Sequence, residues 1–241
     1  MKKCYSYIRK IAFTSTLCAL LGCSAPFPEF DSALLFLAVL NSDSQTPGPG
    51  NPTDPNSSLK FVFTTIGVSN GQLGAGGAVG ADGICAAEKD ANFAALPGIG
   101  TDYKAMIAST VAPVRTACTT AYCSSILENS NWILRPSQDY YRGSVASPVK
   151  IFTTNSAGIV VFPAPGLIAA IDTNAAAVWW TGLEADWTAS ADDCTGWSDG
   201  TAGGGLNNGQ FGSGAKTDTD SMSSAFTDAC NLPKALVCVR Q

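Results

Sequence analysis

Histidine is missing from all 241 residues. Its absence removes the Ser-His-Asp and Cys-His nucleophile relays and the usual histidine metal sites in one stroke. The nine cysteines contain no C-x-x-C pair, so a structural zinc site also lacks its ordinary spacing. Basic charge is scarce, with 14 Lys and Arg against 19 Asp and Glu. No uninterrupted apolar run reaches the roughly 20 residues that a bilayer-spanning helix takes, and long helical periodicity is rare.

The few basic residues are unevenly placed. Lys2, Lys3, Arg9 and Lys10 precede an apolar stretch that ends in LCALLGC, the form of an export signal. Leu20, Leu21, Gly22 and Cys23 follow the bacterial lipobox pattern, so residues 1–22 are expected to be removed and Cys23 to carry lipid. The mature chain then holds ten basic residues against nineteen acidic ones, a net charge of about −9. That balance argues against nucleic acid, heparin-like polyanions and anionic lipid headgroups as partners. The run SALLFLAVL at 32–40 is too short to span a membrane and reads as a membrane-proximal segment. NSDSQTPGPGNPTDPNSS at 41–58 has no apolar side chains beyond proline and reads as a disordered tether, spanning roughly 20–25 Å as a flexible coil. Residues 59–241 have the length of one domain with a real core. Their richness in Gly, Ala, Ser and Thr suggests short strands and extensive loops.

NGQLGAGGAVGADGICAAE at 70–88 follows the apolar run LKFVFTTIGV and leads into helix-like sequence, the setting of a nucleotide-binding loop. Gly74, Gly76, Gly77 and Gly80 miss the dinucleotide fingerprint, whose third glycine position is Val79. No strand-ending acid follows about 20 residues on, as ribose binding would need. The loop is therefore expected to be structural, turning the chain out of its first strand into a helix through Cys85.

Once Cys4, Cys18 and Cys23 are set aside, Cys85, Cys118, Cys123, Cys194, Cys230 and Cys238 remain. An even count in an exported chain predicts disulfides, with about 15 connectivities open for six cysteines. Glu184, Asp186, Asp192, Asp193 and Asp199 would suit a paired-carboxylate glycosidase, but among Gly, Ser, Thr and Ala they read as solvated surface charge. Trp187 and Trp197 are expected in the core. Trp179 and Trp180 must point to opposite faces of a strand, which leaves at most one of them a core anchor if one face is wet.

VWWTGLEADWTASADDCTGWSDG at 178–200, a Gly/Asn-rich stretch and ACNLPKALVCVRQ at the end, with VSNGQLGAGGAVGADGICAAE and GTDYKAMIAS before them, resemble the leptospiral endostatin-like (DUF1554) outer-membrane lipoproteins. The resemblance covers nearly all of 59–241. It implies an α+β, endostatin-like or C-type lectin-like domain with nested Cys85–Cys238 and Cys194–Cys230 bridges, and Cys118–Cys123 as a local clip. It further implies a non-enzymatic, surface-exposed lipoprotein without a cofactor, acting as an adhesin for host matrix or serum proteins such as laminin, fibronectin, complement regulators or plasminogen. The zinc-binding histidines and heparin-binding arginines of endostatin are absent. A calcium-dependent carbohydrate binder using the acidic 184–199 region is an alternative, although the Glu-Pro-Asn type loop is missing and WSD at 197–199 is only a partial echo of the lectin strand. A structural envelope lipoprotein without a host ligand is the other.

Charge is lopsided along this domain. Lys104, Arg115, Arg135, Arg142 and Lys150 face only Glu128 and Asp139 in the first lobe, whereas eight acids face Lys216 alone between 184 and 228. The first lobe also carries Trp132, Tyr140, Tyr141 and Arg142 in loop-like sequence, and these types are enriched at binding hot spots. These four are the expected protein-contact patch; the competing reading has them covering the domain's own core.

Overall fold

The computed structural model describes residues 58–202 and 207–241. The signal segment, Cys23, the short apolar run and the tether through residue 57 lie outside them. Within them, no helix is long and apolar enough to cross a membrane.

The chain opens with β1 (Lys60–Thr64), whose KFVFT sequence is apolar at consecutive positions because both its faces are covered. Phe61 and Phe63 join one hydrophobic cluster and Val62 the other. The same logic holds at the far end of the chain in β8 (Val237–Arg240), where Val237 and Val239 face one cluster and Cys238 the opposite one. The two strands pair antiparallel, Phe63 opposite Cys238. β2 (Tyr103–Ala105) pairs with the other edge of β8, and β3 (Asp139–Ser144) runs parallel to β1. β3 turns back into β4 (Ser147–Thr153), giving a five-stranded sheet in the order β2-β8-β1-β3-β4.

The helix α1 (Ala78–Asn92) covers one face. Ala78, Ala81 and Cys85 lie along its buried stripe, and their small side chains let the helix sit close enough for Cys85 to bond Cys238 of β8. The glycine loop makes this approach possible. Gly77 caps the helix at φ 57°, where a Cβ would collide with the Gly196 carbonyl, and a Cβ on Gly80 would collide with the Leu73 carbonyl. The loop is packed against protein backbone.

A second, antiparallel sheet of β5 (Val178–Trp180), β6 (Asn208–Ser213) and β7 (Thr227–Ala229) contributes to both clusters, Trp179 to one and Trp180 to the helix-side one. Backbone hydrogen bonds between Ala235 and both Val178 and Trp180 fasten this sheet to the segment entering β8. The fold is thus α+β, with sheet dominant and three disulfides: Cys85–Cys238, Cys118–Cys123 and Cys194–Cys230. These are the pairs that the family resemblance implies.

The tryptophans correct one expectation. Trp179 and Trp180 do point to opposite faces of β5, but both are fully buried, because each face of that strand meets a hydrophobic cluster. All five indole N–H groups donate to backbone carbonyls: Trp132 to Gly158, Trp179 to Ser221, Trp180 to Ser69, Trp187 to Val160 and Trp197 to Ala108. A buried indole needs such a partner. No tryptophan is left to form a sugar-stacking platform.

Candidate functional site

The expected contact patch is divided by the fold. Tyr140, Tyr141 and Arg142 belong to β3 rather than to a loop, and a register shift between Tyr140 and Tyr141 marks an irregularity in the hairpin. Tyr140 is 0% exposed; its ring lies 5.0 Å from that of Phe152, and its hydroxyl accepts from the Arg135 N–H at 2.7 Å. Burial pushes its phenol up to about 12. Trp132, 6% exposed, meets Trp187 edge-on at 6.1 Å. These two residues are core, and they present no contact surface. Tyr141 and Arg142 remain half-exposed, with the Arg142 Nε donating to the Ala170 carbonyl at 2.9 Å.

The basic lobe is also less open than its sequence. Arg115 is buried and forks onto Asp82, while Lys150 reaches Asp139 Oδ1 at 2.8 Å. Hydrogen bonds from Lys150 and then Thr153 hold the Asp139 carboxyl below the usual aspartate range. In the acidic lobe, Asp193 is buried and bonded to Thr110 and Gly196, and Asp186 Oδ1 accepts from the Thr188 N–H and hydroxyl. Glu184 is exposed. Among the described residues no group of three His, Cys, Asp or Glu converges as a metal site, so the acids of 184–199 give the calcium-dependent reading no carboxylate cage.

A different surface stands out. Tyr122, Ile126 and Leu127 are 47%, 51% and 91% exposed. They ride on a segment fixed from several sides. The Cys118–Cys123 bridge clips its start, and Tyr122 N–H donates to the Asp186 carbonyl at 2.9 Å. Asn155 and Ser156 side chains donate to the carbonyls of Cys123 and Ser124. Ser125 caps a 3-10 turn over Ile126–Glu128. Glu128 closes the segment by accepting from both Thr119 and Thr120 hydroxyls and from the Thr120 N–H. Those bonds, the Thr120 side chain first, hold its carboxyl below the usual glutamate range. Beside it lies a cavity of about 340 Å³ that Tyr122 shares with Phe162, Pro163, Pro165 and Leu167.

Apolar side chains held in water on a turn whose backbone is already tied down cost less ordering entropy when a partner covers them, which favours a protein contact there. The composition of the loop, AYCSSILEN, hides this: Ile126 and Leu127 are of the types that usually fill a core, and only the structure places them in solvent.

A family model described as a protein of unknown function (DUF1554) matches residues 67–217. The match spans the glycine loop, α1, the clipped turn and the tryptophan-rich strand. No curated protein matches the chain.

Proposed function

The chain belongs to the DUF1554 family, and from that premise we propose that it is a lipid-anchored, surface-exposed binding module that engages host matrix or serum proteins through the Tyr122–Leu127 turn. Laminin, fibronectin, complement regulators and plasminogen are the partner types that its resemblance to endostatin-like lipoproteins suggests. The observation that carries the reading is the exposure of Ile126 and Leu127 on a turn secured by a disulfide and by Glu128. Such a surface suits association, and the module is proposed to be non-enzymatic.

We read the domain architecture as endostatin-like, and more remotely C-type lectin-like. The nested Cys85–Cys238 and Cys194–Cys230 bridges support that reading. The N-terminal signal and Cys23 supply the proposed anchor, with the outer membrane as its location.

The test is binding of the purified mature chain to immobilised laminin, fibronectin, plasminogen and a complement regulator, with an Ile126→Ser/Leu127→Ser variant beside it. Saturable binding that falls at least tenfold in the variant, at unchanged thermal midpoint, is the expected result. Binding that is unaffected by the variant would remove the turn from the proposal, and absence of binding to all four would remove the adhesin reading.

A further inference from the structure

A second cavity, of about 410 Å³, opens at the edge of the main sheet between β2, the start of α1 and the 113–135 segment. Arg115, 5% exposed, forms its buried wall. Its Nη1 and Nη2 fork onto Asp82 at 2.9 and 2.7 Å, and Nη1 also donates to the Ala105 carbonyl at 3.0 Å. Asp82 Oδ1 further accepts from the Ala105 N–H at 3.0 Å. The carboxylate is therefore spent on Arg115 and backbone, and the pair is close to neutral. Arg115 Nε has no hydrogen-bond partner, the single buried side-chain nitrogen or oxygen of which that holds among the described residues.

Two further cations border this cavity. Lys104 of β2 approaches only the far oxygen of Asp82, at 3.9 Å, with its side chain one-third exposed. Arg135 is exposed, and its guanidinium has no ion pair among the described residues. The lining is net positive in a chain that is acidic overall. Pro113 and Val114 give the rest of the wall an apolar character.

We propose that this cavity is a binding site for an organic carboxylate carried on a short apolar body. Its volume suits a small ligand. The apolar wall favours an organic anion over a hydrated inorganic one, because burying the body releases water while the charge stays beside Lys104 and Arg135. The ligand chemistry is shared by a free small carboxylic acid and by an acidic side chain of a bound protein. The site does not depend on the Tyr122–Leu127 reading.

The experiment is a titration of the full mature chain, followed by nitrogen–proton NMR at the Trp132 indole and the Asn131 side-chain amide. The probes are 3-phenylpropionate, its neutral amide, inorganic phosphate, and a blocked acidic tetrapeptide. Saturable shifts with the carboxylate, at least tenfold weaker with the amide and weaker as salt rises, are expected. Lys104→Gln and Arg135→Gln, both at solvent-touching side chains, should each weaken carboxylate binding severalfold without moving the thermal midpoint. A tetrapeptide that binds more tightly than the free acid identifies a protein source, and the reverse order a metabolite source; either supports the site. Equal binding of acid and amide, tighter binding of phosphate, or no shift with either carboxylate probe would overturn it. The acid-against-amide comparison needs no variant, so the test stands even if a substitution impairs folding.

Discussion

Asp193 Oδ2 accepts two hydrogen bonds from Thr110, one from its N–H and one from its hydroxyl, each at 2.8 Å across 83 residues of chain. The other oxygen, Oδ1, accepts from the Gly196 N–H at 2.8 Å and so shapes the turn α2 (Cys194–Trp197). Cys194, Thr195, Gly196 and Trp197 all adopt positive φ there, a conformation that three L side chains do not choose unaided. Asp193→Ala leaves the buried Gly196 donor unpaired and should destabilise the domain by about 3 kcal/mol, the scale of losing hydrogen bonds to a charged group. Asp193→Asn, with one carbonyl oxygen for two partners, should fall between. Chemical denaturation of the two variants checks the order; equal stabilities to the parent would show the turn to be self-supporting.

The three disulfides should differ in worth according to the loops they close. Cys85–Cys238 spans 153 residues, Cys194–Cys230 spans 36 and Cys118–Cys123 spans 5. On the chain-entropy account the pairwise alanine variants lose about 5, about 4 and about 2 kcal/mol. The first variant is therefore expected to unfold at ordinary temperature. The third should stay folded while its 119–128 segment becomes cleavable by protease, which mass spectrometry of limited digests would show.

Much of this was legible in the sequence, and the failures have definite causes. The helix through Cys85, the packing role of the glycine loop and the burial of Trp187 and Trp197 follow from residue type and local order. Trp180 and Tyr140 do not, because their burial depends on what covers the second face of a strand. For Trp180 it is the cluster containing Trp197, and for Tyr140 the cluster containing Phe152. Phe152 is the hairpin partner of Tyr140, but both clusters draw most of their residues from distant parts of the chain. The Arg115–Asp82 pair, 33 residues apart, was invisible for the same reason, and counting charges by segment overstated the free basic charge of the first lobe.

The clipped turn should respond to acid. Glu128 has its carboxyl held low by Thr120 and Thr119, so the tightening it provides is present above the pKa of the free side chain and is lost as pH falls through the lower, folded value. The Thr120 amide resonance should therefore move with a single titration whose midpoint lies below the ordinary glutamate value of about 4.3. Glu128→Gln should abolish the titration and raise mobility at Ile126 and Leu127. A Thr120 resonance with its midpoint at the ordinary glutamate value would mean that these hydrogen bonds do not persist in solution.

Tyr140 and Tyr141 are adjacent, and substituting them separates core from surface on β3. Tyr140→Ala removes a fully buried ring against Phe152 and should cost about 3–5 kcal/mol, the range for deleting a core aromatic. Tyr140→Phe keeps the ring and removes only the acceptor for the Arg135 N–H, costing about 1 kcal/mol. Tyr141→Ala loses a half-exposed side chain whose hydroxyl lies 3.4 Å from Asp139, and should cost less than Tyr140→Ala. The combined Tyr140/Tyr141/Arg142 alanine variant would thus lose any binding activity through unfolding, so it cannot map a surface. Thermal melts of the three single variants decide the matter. If Tyr140→Ala melted with the parent while Tyr141→Ala did not, the placement of Tyr140 in the core would be wrong and the strand would have to be turned over.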